Sequence, residues 1–141
     1  MKRFLAPLVL IAALAVPATA LAGVKTFSGD ATTGSVTMEV KVKKGKPKKV
    51  NEFTFIDILL SCAEGEDIVT GRYPAEGFSS SAKVKNKRFS ISAGEINTGA
   101  GLEIEGKFQG KSSADGTLQI AGDTSDHTDC VSGVIDWTAN R

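Results

Sequence analysis

The chain has 141 residues, with 17 basic and 16 acidic side chains, one histidine, two cysteines and 15 glycines; 41% of residues are hydrophobic and 6% aromatic. This near-neutral balance excludes a general electrostatic pull toward nucleic acid, and the length leaves no room for two well-filled cores.

The first 22 residues, MKRFLAPLVLIAALAVPATALA, open on Lys2 and Arg3, continue through an apolar stretch and close on Ala20-Leu21-Ala22. That is the charged, apolar and small-x-small order of a cleaved signal peptide. The stretch is short for a bilayer span and carries Pro7 and Pro17, so no stable membrane insertion is expected. Val24, not cysteine, follows Leu21-Ala22-Gly23, so no thiol is placed for a lipid anchor. The expected product is a secreted or extracytoplasmic domain of residues 23–141. Taking 22 from 141 leaves 119 residues, and losing Lys2 and Arg3 leaves 15 basic against 16 acidic side chains.

Beyond residue 22 the pattern has a period of two, which predicts strands. In SVTMEVKVKK, Val36, Met38, Val40 and Val42 point one way while Thr37, Glu39, Lys41 and Lys43 point the other. GKPK supplies a turn. VNEFTFIDILLSC follows as the most apolar segment, with Phe53 and Phe55 of one parity and Ile56, Ile58, Leu60 and Cys62 of the other. Either both faces are covered or a bulge near Phe55 switches the inward face; a long strand near the middle of a sheet is expected.

AEGED breaks the run, a short segment around IVTGRY can pair, and PAEGFSSS reads as a loop. SAKVKNKRFSIS predicts a hairpin with Asn86-Lys87 at the bend and Ala82, Val84, Phe89 and Ile91 inward. GLEIEGKF alternates through Leu102, Ile104 and Phe108, with Gly106 at an inward position where a bulky neighbour can sit. Asp115-Gly116 is the strongest hairpin signal, followed by Leu118 and Ile120 inward. The last strand, CVSGVIDWTA, places Val131, Gly133, Ile135, Trp137 and Ala139 on one face. Eight or nine short strands result, and the economical architecture is an all-β, antiparallel two-sheet β-sandwich in a single domain, with a closed β-barrel as the alternative.

Cys62 and Cys130 are the only cysteines, and export implies an oxidising compartment, so a disulfide is the leading assignment. Two buried thiols or a metal pair are the alternatives, although a single nearby histidine, His127, gives a poor zinc spacing. The ending Cys-x-Ser-Gly-x-Ile-x-Trp-Thr-Ala (Cys130 to Ala139), Cys62 after Val50 and Phe53, and the stretch from Gly106, Phe108 and Gly110 to Asp115–Leu118 carry a resemblance. Together they resemble a loose group of small exported bacterial β-sandwich proteins with no assigned activity. The resemblance implies the sandwich and the disulfide, and implies no active-site residue.

Four places invite a functional reading. Asp123, Asp126, His127 and Asp129 share one loop that could hold a metal or move protons, but the spacing matches no calcium loop and favours a polar surface loop. Asp57 would mark a site if buried, and points to solvent if Ile56, Ile58 and Leu60 face inward. In GRYPAEGF, Arg72, Tyr73 and Phe78 are recognition-type side chains that could equally fold inward as a lid. Lys41, Lys43, Lys44, Lys46, Lys48 and Lys49 form a local basic patch able to attract an anionic polymer, or simply to block a sheet edge.

Neither G-x-S-x-G nor H-E-x-x-H occurs. The expectation is therefore a secreted, non-catalytic binding or structural module, without cofactor or metal, that recognises a cell-envelope polymer, a polysaccharide or a protein partner, and not nucleic acid. The alternative is a small secreted hydrolase or metal-dependent enzyme using Asp126, His127 and Asp129.

Overall fold

In the computed structural model, which describes residues 22–73 and 80–141, the alternating segments are strands because alternation lets one face of each bury its apolar side chains. In chain order these are β1 (Gly23–Asp30), β2 (Ser35–Lys43), β3 (Lys46–Ile56), β4 (Leu59–Ser61), β5 (Asp67–Val69) and β6 (Ala82–Lys83). After them come β7 (Arg88–Glu95), a 3₁₀ turn (Ile96–Thr98), β8 (Ala100–Phe108), β9 (Ser113–Gly122), β10 (Cys130–Val131) and β11 (Ile135–Asn140). The signal-peptide reading falls almost wholly on residues outside the described ones.

All pairing is antiparallel. The main path runs β6-β3-β2-β1-β11-β9, β8 and then β7 continue beyond β9, and β10 leads from the end of β9 to β4 and β5. The sheet is not closed into a barrel. It doubles over one core, so that rings far apart in strand order meet: Phe27 lies 5.6 Å from Phe108, and Phe53 lies 5.2 Å from Trp137. Each such ring, fully buried, contributes about 1.5–3 kcal/mol of burial energy.

The expected inward rows of β2 and β8 hold. Val36, Met38, Val40, Val42, Leu102, Ile104 and Phe108 are all buried. Phe89 and Ile91 on β7 are buried too, and the β6–β7 bend does fall on Asn86-Lys87, both with positive φ.

Three expectations need correction. First, the apolar segment is not one long central strand: Asp57 takes a left-handed conformation at φ 59°, ending β3 and switching parity. Phe53 and Phe55 therefore face the core before it and Ile58 and Leu60 after it, whereas Ile56 is 40% exposed. Asp57 itself is exposed. Second, Asp115-Gly116 is no hairpin bend but lies within β9, paired to Lys107 and Gly106 on one side and to Thr138 and Trp137 on the other. The β8–β9 reversal falls instead at residues 109–112, with Gly110 left-handed and the Gln109 N–H donating to the Ser113 carbonyl. Third, Gly133 has φ 64° and breaks the last segment, so Ile135, Trp137 and Ala139 are inward while Val131 is 46% exposed. The strand count is eleven among the described residues, because several pairings are only two or three residues long.

Gly116 is a glycine for packing. Phe89, Gly106, Gly116 and Trp137 stand opposite one another across β7, β8, β9 and β11, and the two rings close to 6.2 Å above the two glycines. A Cβ on Gly106 would fall 2.3 Å from the Phe89 ring, which is the bulky neighbour expected there.

Cys62 and Cys130 form a disulfide between the end of β4 and the start of β10. It spans 68 residues of chain, and in the chain-entropy picture closing such a loop contributes about 4 kcal/mol. At the other side of the core, buried Ser80 accepts from the Phe53 N–H and donates to its carbonyl, satisfying two main-chain groups that β6 does not reach.

Candidate functional site

The β2–β3 hairpin bends at Lys44-Gly45, and two register shifts leave Lys48 and Asn51 of β3 without opposite residues on β2. These bulges keep Val40 opposite Val50 on the core side while placing Lys41 opposite Lys49 and Lys43 opposite Lys46 on the outer side. Lys49 is in turn opposite Lys83 on β6. Two residues on, hence on the same face, Lys85 bridges to Arg88 across the Asn86-Lys87 bend, with main-chain bonds of 2.9 and 2.8 Å. Arg88 is opposite Lys107 on β8, and Lys107 is opposite Asp115 on β9.

The outcome is an outer-face belt of six cations: Lys41, Lys49, Lys83, Lys85, Arg88 and Lys107. Its β6–β9 half borders an open cleft of about 580 Å³ whose floor is the Gly106–Gly116 pair. Glu105 and Asp115 are the acids on its wall. Among the described residues the ion pairs within 4.0 Å are Arg72 with Glu52 and His127 with Glu66, so none of the belt cations is neutralised at that range.

Charge is segregated along the strands. Of the 15 basic residues beyond residue 22, twelve lie in 41–49, 83–88, 107 and 111, the end where β2 meets β3 and β8 meets β9. At the opposite end, loops 62–67 and 123–130 bring together Glu64, Glu66, Asp67, Asp123, Asp126 and Asp129. A near-neutral total thus conceals a strongly polarised molecule.

The Asp/His loop is internally bonded. The Asp123 carboxylate accepts from the Asp129 N–H at 2.8 Å, Thr124 Oγ1 accepts from the N–H groups of Asp126 and His127, and Asp126 accepts from Ser125. Glu64 accepts from the Thr128 hydroxyl at 2.8 Å and its N–H at 3.0 Å. Its own backbone N–H first, then the Thr128 donors, hold the Glu64 carboxyl below the usual carboxylate range. His127 Nδ1 lies 3.9 Å from Glu66. Potential ligand atoms of Cys62, Glu64 and His127 lie within 4.8 Å of one another, but Cys62 is in the disulfide and supplies no thiolate. Asp126 and Asp129 do not join that group.

Tyr73 bonds its main chain to Phe55 and stacks on that ring at 4.8 Å and 14°, so it covers the core, and this burial pushes its hydroxyl above the ordinary value. Arg72 is exposed beside Glu52. Phe78 lies outside the described residues. The structure therefore does not bring Arg72 and Tyr73 to the basic end, whereas it joins Lys41 and Lys49 to Lys83, Lys85, Arg88 and Lys107. No protein-family model, curated protein or solved structure matches this chain.

Sequence reasoning finds the hairpin lysines but misses the other four cations. For two of them the local signal is alternation, Lys83 and Lys85 each following an inward residue, Ala82 and Val84.

Proposed function

We propose that this is an exported, non-catalytic binding module that docks its basic end onto an anionic polymer of the cell envelope. The observation that carries the reading is the gathering of twelve cations at one end, with no belt cation in an ion pair within 4.0 Å among the described residues. Such a surface raises local counter-ion concentration and orients the molecule toward a negative partner. Export fits the signal-like N-terminus, the resemblance to small exported β-sandwich proteins and a disulfide that an oxidising compartment would maintain.

The test is cosedimentation of the protein, in its exported form, with cell-envelope material at low and high salt. Binding that falls steeply with salt is expected. Absence of binding at any salt, or steady turnover of an envelope component, would overturn the reading.

A further inference from the structure

Resting on that reading, we infer that the belt receives a linear polyanion lying across the strands, one anionic group after another along Lys41, Lys49, Lys83, Lys85, Arg88 and Lys107. Along the belt the register places cations directly opposite one another four times: Lys41 with Lys49, Lys49 with Lys83, Lys85 with Arg88, and Arg88 with Lys107. Facing cations destabilise a sheet in the absence of a counter-charge, and among the described residues the only acid the register sets directly opposite a belt cation is Asp115, across from Lys107 at the belt's end. An anionic chain laid over them removes that repulsion, so ligand binding and fold stability are coupled.

Direction follows from geometry. Adjacent strands are spaced by about 4.8 Å, and Lys83 to Lys85 is one two-residue step along β6, so the belt is about 25 Å long. A discrete small anion covers two or three of the cations; only an extended chain covers all six. Among the described residues no aromatic side chain is exposed along the belt, since Phe89 and Trp137 lie buried beneath Gly106 and Gly116. The ligand is held by its charges, through phosphate or carboxylate groups borne at each repeat, and not by stacking of rings.

The experiment measures binding of inorganic polyphosphate, polygalacturonate, triphosphate and galacturonate to the exported protein, to Lys49→Glu/Arg88→Glu and to Arg72→Glu. Both long polymers should bind if charge alone decides, and one of the two should dominate if the phosphate or the uronate repeat fits better. Either long polymer should bind at least tenfold more tightly than its short counterpart. Six neutralised charges give about a 10²- to 10³-fold loss of affinity between about 50 and about 200 mM salt. The belt double variant should lose at least tenfold while melting no lower than the parent, because it removes facing like charges; Arg72→Glu should stay within twofold.

Equal affinity for short and long anions would overturn the extended-chain inference, as would a belt variant that binds within twofold of the parent. If neither polymer binds but envelope material still cosediments, the inference fails and the binding reading survives. Failure of both removes the reading as well.

Discussion

Replacing Gly116 by alanine tests the most unexpected feature of the fold, an Asp-Gly pair held inside a strand. A Cβ there would lie 1.9 Å from the Glu105 carbonyl oxygen, 2.7 Å from Trp137 Cζ2 and 2.8 Å from Gly106 Cα, where ordinary contact begins at 3.4 Å. Two of these three atoms are main chain, so β8 must retreat from β9. Overpacking of this kind costs about 1–3 kcal/mol, and losing one or two ladder hydrogen bonds adds about 1 kcal/mol each. The sum, about 2–5 kcal/mol, corresponds to a fall of about 8–20 °C in melting temperature for a domain of this size. Gly122→Ala on the same strand meets nothing within 4 Å and should melt within a few degrees of the parent. Unfolding is followed by the fluorescence of Trp137, the only tryptophan. Were the pair a left-handed hairpin bend, Gly116→Asn would be tolerated, since asparagine adopts that conformation readily. A Gly116→Asn variant melting with the parent would refute the in-strand assignment.

Two further outcomes concern the disulfide end. Removing both Cys62 and Cys130 as serines should cost about 4 kcal/mol, lowering the melting temperature by roughly 15 °C, and the denatured, unreduced parent should titrate no free thiol; a full complement of thiols would contradict the bridge. Glu64 has a folded-state pKa below its ordinary value, so its contribution to stability is complete above about pH 4.5 and is lost as pH falls through the lowered pKa. Glu64→Gln should therefore melt slightly lower than the parent near neutrality, with the gap closing in acid; a gap unchanged down to about pH 2 would mean that the Thr128 hydrogen bonds do not act through ionised Glu64.

The fold was legible wherever alternation ran unbroken. Val36 to Val42 and Leu102 to Phe108 announce their inward faces because a period of two has one physical cause, a pleated strand with one side covered. It was illegible where a single residue reset the phase. Asp57 and Gly133 do so by adopting positive φ; the opposite parities of Phe53 and Phe55 against Ile58 and Leu60 allow a switch near Phe55, but do not name Asp57 as the residue that makes it, and nothing comparable marks Gly133. At Gly116 the local preference for a turn was overridden by two rings that needed the space of a missing side chain. The candidate site divides along the same line. Lys41 facing Lys49 follows from a short hairpin, so the sequence shows half of the belt. Lys83, Arg88 and Lys107 join it through pairings between strands far apart in the chain, and the two bulges on β3 decide which lysines meet them. Net charge cannot reveal such a surface, because acids spread along the chain, six of them in the loops at the far end, cancel the cations in any sum, though not in the field that an approaching polyanion feels.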